Sequence, residues 1–70
     1  MMRERTYYTV ECWDLEGKCS LSGEYDDYIT ALAAYQASVD NHNPHIREIR
    51  MYETTETTTV YSREIAAYTA

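Results

Sequence analysis

Two cysteines and two histidines are the residues of this chain whose chemistry could extend beyond ordinary packing. Six residues separate Cys12 from Cys19, and His42 and His45 flank an Asn-Pro pair. Structural zinc sites usually take close ligand pairs such as Cys-x-x-Cys, which this spacing does not provide. We therefore predict no metal site and no cofactor, with the thiols acting as small apolar side chains and the histidines as loop residues.

Catalytic chemistry has no recognisable motif in the sequence. The chain contains only two glycines, and it lacks a phosphate-cradling glycine loop and a glycine-flanked nucleophile. The acidic pair Asp26 and Asp27 precedes a helical segment, where capping and the helix dipole explain carboxylates better than acid–base catalysis does. We predict that the protein is not an enzyme.

The charge of the chain indicates the kind of partner it can have. Its net charge is −6 and its pI is about 4.6, which repels both phosphate backbones and anionic lipids. We therefore expect no direct binding to nucleic acid or membranes. The expected partner is another protein, such as a basic nucleic-acid-binding effector. The start, Met1-Met2-Arg3-Glu4-Arg5, carries no signal peptide, which predicts a cytoplasmic protein with reduced thiols.

The N-terminal part of the chain is typical of a β-hairpin. Residues 6–13 form an alternating run rich in β-branched and aromatic side chains, and residues 18–23 resume the alternation after a turn that contains Gly17. A four-residue loop over 14–17 would pair Cys12 with Cys19 and Val10 with Leu21, which gives one apolar face. This register does not determine whether the two cysteines form a disulfide. It places on the opposite face Tyr7, Thr9, Glu11 and Trp13, with Lys18, Ser20 and Ser22.

A helix and two further strands are expected after the hairpin. Residues 27–41 have helical periodicity, alanine enrichment and a capping aspartate, and their expected apolar positions are Tyr28, Ile29, Leu32, Tyr35, Gln36 and Val39. The pattern is extended again from residue 45, with one predicted strand over 46–52 and a second over 57–65. Residues 53–57 connect them in an undetermined register, and a frayed tail is expected at 66–70. The prediction is one α+β domain over residues 1–70: a ββαββ fold whose four-stranded antiparallel sheet has order 2-1-3-4, with the helix on one face.

Aromatic and acidic residues give the candidate binding surface. The chain has eight tyrosines, one tryptophan and no phenylalanine, a usage that suits rings whose polar ends reach water or a partner. The predicted anchors are Tyr7, Trp13 and Tyr25, and Tyr52 has the parity to join the face of Tyr7 and Trp13. The carboxylates expected to steer a basic partner are Glu24, Asp26 and Asp27.

The order of these segments resembles that of small acidic phage-encoded proteins, among them anti-CRISPR inhibitors. The segments that carry the resemblance are Tyr8-Thr9-Val10-Glu11, Gly17-Lys18 and Gly23-Glu24-Tyr25-Asp26-Asp27 leading into the alanine-rich helix. The resemblance implies a stoichiometric inhibitor in the host-cell cytoplasm. Such an inhibitor blocks nucleic-acid binding or conformational change in a Cas effector.

Two other readings remain open at this point. HicB-type antitoxins are similar in having a glycine-containing hairpin before an alanine-rich helix. They usually carry a proline-and-glycine segment where this chain has Gly23-Glu24-Tyr25-Asp26. A small homo-oligomeric accessory protein, such as a homodimer joined through a sheet face or strand edge, is the third reading.

Overall fold

The computed structural model describes residues 4–57 and 59–69, without the side chains of residues 21 and 22. Its elements are β1 (Arg5–Asp14), β2 (Cys19–Tyr25), α1 (Tyr28–Asp40), β3 (Ile46–Glu56) and β4 (Val60–Thr69). The strands form one antiparallel sheet in the order β2-β1-β3-β4. The predicted α+β class, with one helix and an antiparallel sheet, is confirmed.

The turn between β1 and β2 sets a register that differs from the predicted one. The Asp14 N–H donates to the Lys18 carbonyl at 3.0 Å, which leaves a loop of three residues, 15–17. The Asp14 carboxylate also accepts from the backbone N–H groups of Glu16 and Lys18, each at 2.9 Å. Gly17 has a φ of +82°, a conformation that glycine adopts without steric cost. These local interactions determine the loop length.

As a result, the predicted pairing of Cys12 with Cys19 is wrong. Cys12 lies opposite Ser20, and Cys19 lies opposite Trp13. Paired residues share a face, so the two thiols point to opposite sides of the sheet and both are free. Ser20 is consequently on the side of Cys12, and not on that of Trp13 as predicted.

A β-bulge then restores the apolar alternation in β2. The register shifts between Val10 and Glu11, so that Gly23 lies opposite Val10 and Tyr25 opposite Tyr8. The predicted pairing of Val10 with Leu21 is also wrong, because the shorter loop and the bulge each shift β2 by one residue against β1. The predicted side-chain positions of Leu21 and Ser22 lie outside the described residues.

Helix α1 packs on the sheet through small side chains. Asp27 is its N-cap and Asn41 its C-cap, in agreement with the helix predicted over residues 27–41. Ala31 and Tyr35 are its buried residues, whereas Ile29, which the sequence places on the apolar face, is 68% exposed. Ile29 is two residues from Ala31, and residues at this spacing do not share a helix face, so Ile29 points away from the sheet. No helix of the described residues is long and apolar enough to cross a membrane.

The core is small because a single helix covers a long sheet. The molecule measures 47 × 23 × 15 Å. Its buried apolar residues are Val10, Ala31, Tyr35, Ile49 and Met51. The side of the sheet that carries them, together with Tyr8 and Cys12, is called the helix face below.

The second hairpin is longer than the sequence indicates. β3 continues through Glu56, and β4 begins at Val60, opposite Glu56. The predicted fraying of residues 66–69 is wrong, because these residues pair with β3 and Tyr68 lies opposite Ile49. The remaining tail residue, Ala70, lies outside the described residues.

The turn gives a first prediction. Asp14→Ala removes two acceptor contacts to backbone N–H groups and should lower the free energy of unfolding by about 1 kcal/mol. Glu16→Ala is the matched control, because the Glu16 side chain is exposed and its carboxylate lies 3.9 Å from the Lys18 amine; it should cost less than about 0.5 kcal/mol. Urea unfolding of both variants measures the difference. Equal losses would contradict the role of Asp14 in the turn.

A second prediction concerns the pH dependence of the helix cap. The Asp27 carboxylate accepts from the Thr30 hydroxyl and backbone N–H, each at 2.8 Å, and these bonds lower the pKa of Asp27 from its ordinary value of 3.8. The stabilisation is therefore complete above the unfolded pKa and is lost as the pH falls through the folded pKa.

Asp27→Asn tests this effect, because asparagine also caps helices but does not titrate. The unfolding temperature of the wild-type protein, relative to that of Asp27→Asn, should fall between about pH 6 and about pH 2. Circular dichroism melting curves measure it. A difference that stays constant over this range would contradict the prediction.

Candidate binding surface on the open face of the sheet

The side of the sheet opposite α1 carries the residues that could form a binding surface. This side is called the open face below. Cross-strand pairing places on it four residues of β1, each opposite one of β3: Tyr7, Thr9, Glu11 and Trp13 with Thr54, Tyr52, Arg50 and Glu48. Most of these side chains are half-buried by one another. The face therefore carries aromatic and charged side chains side by side.

Trp13 is the largest side chain of this face and has an unusual polar environment. It lies opposite Cys19 on one side and Glu48 on the other. The Arg50 guanidinium carbon is 6.0 Å from the centre of the Trp13 ring, at the outer limit of a cation–π contact. The indole Nε1 is removed from solvent and has no hydrogen-bond partner among the described residues. An N–H group without an acceptor is a cost to the fold.

Carboxylates on both sides hold Arg50 in this position. Its guanidinium lies 2.7 Å from Glu48 and 3.6 Å from Glu64. A hydrogen bond with Tyr52 and the charge of Glu48 raise the pKa of Arg50. The arginine therefore stays charged and bridges β3 and β4 beside the indole ring.

A second cluster lies at the other end of β1. The Arg5 guanidinium carbon is 4.5 Å from the centre of the Tyr7 ring, and its Nη2 atom lies 2.9 Å from Glu24 and 3.6 Å from Asp26. The Tyr7 hydroxyl donates to Glu56 at 3.1 Å. Partial burial, followed by this hydrogen bond, raises the pKa of Tyr7. Arg5 thus joins the tyrosine to two of the predicted acidic residues.

The structure brings together some of the predicted binding residues and separates others. Tyr7, Glu24 and Asp26 meet around Arg5. Trp13 shares their face but lies six residues along β1, about 20 Å away at roughly 3.3 Å per residue.

Tyr25 and Asp27 have structural roles. Tyr25 lies on the helix face, and its ring covers Gly23 so closely that a Cβ there would meet it. Tyr25 lies opposite Tyr8, whereas Tyr7 and Trp13, the other two predicted anchors, lie on the open face. Asp27 is the cap of α1, and its carboxylate is bound to Thr30.

The open face is acidic on balance. Cross-strand pairing assigns to it two arginines, Arg5 and Arg50, and five glutamates: Glu11, Glu24, Glu48, Glu56 and Glu64. The sequence did not indicate the two arginines as part of the surface. Alternation could have placed them there, because Arg5 shares the parity of Tyr7 in β1 and Arg50 that of Tyr52 in β3.

The thiols and histidines do not meet in one site. Cys12 lines an open groove of 410 Å³ at the end of α1 with Ser38 and His42, whereas Cys19 is on the open face. Burial raises the pKa of both thiols, which disfavours the nucleophilic thiolate. His42 Nδ1 lies 2.7 Å from the Val39 carbonyl. Among residues 4–57 and 59–69, no three His, Cys, Asp or Glu side chains are grouped as metal ligands.

The open face therefore presents aromatic rings and charged groups side by side. Comparison of the chain with protein-family models, with curated proteins and with solved structures finds no match.

Proposed function

We propose that this protein is a small acidic inhibitor that binds a basic surface of another protein through its open face. The partner that suits it is a nucleic-acid-binding effector, whose channel attracts carboxylates in place of phosphates. The specific form of the proposal is an anti-CRISPR activity in the host-cell cytoplasm. In this form the protein blocks nucleic-acid binding or conformational change of a Cas effector by stoichiometric binding, without catalysis.

The environment of Trp13 is the observation that carries this proposal. Tryptophan and arginine are enriched among the residues that dominate protein–protein binding energies, and here Arg50 lies against Trp13 on a face that α1 leaves uncovered. The indole N–H has no acceptor in the free protein. A partner carbonyl that accepts this hydrogen bond would relieve an unsatisfied donor, and the free energy of binding would include that relief.

The charge of the open face supports a basic partner. Its five glutamates outnumber its two arginines, and Glu24 and Glu64 are about half exposed, with side-chain exposures of 48% and 44%. Such carboxylates increase the rate of encounter with a basic surface, because their attraction acts over a Debye length of about 8–10 Å. The aromatic residues would then determine how slowly the complex dissociates.

The function itself is tested with purified Cas effector–guide complexes. Target-DNA binding, measured by fluorescence anisotropy, should fall as the protein is added and reach its minimum at a fixed molar ratio. A folded protein that binds no complex in a panel of effector types, and leaves DNA binding unchanged, would contradict the anti-CRISPR form of the proposal.

A third prediction concerns Trp13 in that complex. Trp13→Ala should speed dissociation about 30-fold, which corresponds to a loss of about 2 kcal/mol. Tyr61→Ala is the matched control, because Tyr61 is an aromatic residue of β4 that is 59% exposed and pairs with Thr55 on the other side of the sheet.

Surface plasmon resonance gives both rates, and melting curves confirm that each variant is folded. If Tyr61→Ala weakens binding and Trp13→Ala does not, the partner binds the helix face and the proposed surface is wrong.

A fourth prediction separates steering from anchoring. Glu24→Gln should slow association about threefold and reduce its dependence on salt, with little effect on dissociation. Glu16→Gln makes the same change of charge in the β1–β2 loop and serves as the control. Equal effects of the two variants would mean that net charge, and not the open face, attracts the partner.

A further inference from the structure

We draw no further inference here: the strongest candidate, the outer edge of β4 at the end of the sheet with the exposed side chains of Val60 and Tyr61, carries none, because nothing in the part of the chain that the structure describes shows what covers it.

Discussion

A single short helix has to cover a much longer sheet, and most features of this protein follow from that constraint. α1 has 13 residues, whereas β1, β3 and β4 have 10 or 11. At about 1.5 Å per helical residue and 3.3 Å per strand residue, the helix reaches little more than half the length of the strands. The single helix therefore covers only part of one face and leaves the other face open, so the core contains few residues.

The uncovered parts of the sheet are stabilised by side chains that are both apolar and polar. Tyr7 packs under Arg5 while its hydroxyl donates to Glu56. On the helix face, at the edge of the core, the Tyr8 hydroxyl donates to Glu53, which also accepts from Arg63. At these two positions the tyrosine hydroxyl makes a hydrogen bond that phenylalanine could not make. Trp13 departs from this pattern, because its N–H has no acceptor among the described residues, and for this reason it stands at the centre of the proposed function.

Local patterns in the sequence were sufficient to predict the helix and the strands, but not the registers in which the strands pair. The helix limits follow from Asp27 and from the alanine-rich periodicity. The β1–β2 register was predicted from a coherent apolar face, but the bonds made by Asp14 and the left-handed Gly17 select a shorter loop, and a bulge then corrects the parity. Tyr7 and Trp13 could be placed on one face by alternation alone. Alternation also allows Arg5 and Arg50 on that face, but their contacts could not be predicted, since the pairing of β1 with β3 joins segments that are distant in sequence.

Trp13 is the only tryptophan of the chain, so its indole N–H gives a single, assignable NMR signal from the open face. The most direct test of the account is the ¹⁵N spectrum of the labelled protein with and without an unlabelled Cas effector, the class of partner proposed for it. The account predicts that this indole signal and the amides of Glu11, Arg50 and Tyr52 shift most, and that the signal of Ala33 stays unchanged. Binding that shifts the amides of α1 and leaves the indole N–H in place would contradict it.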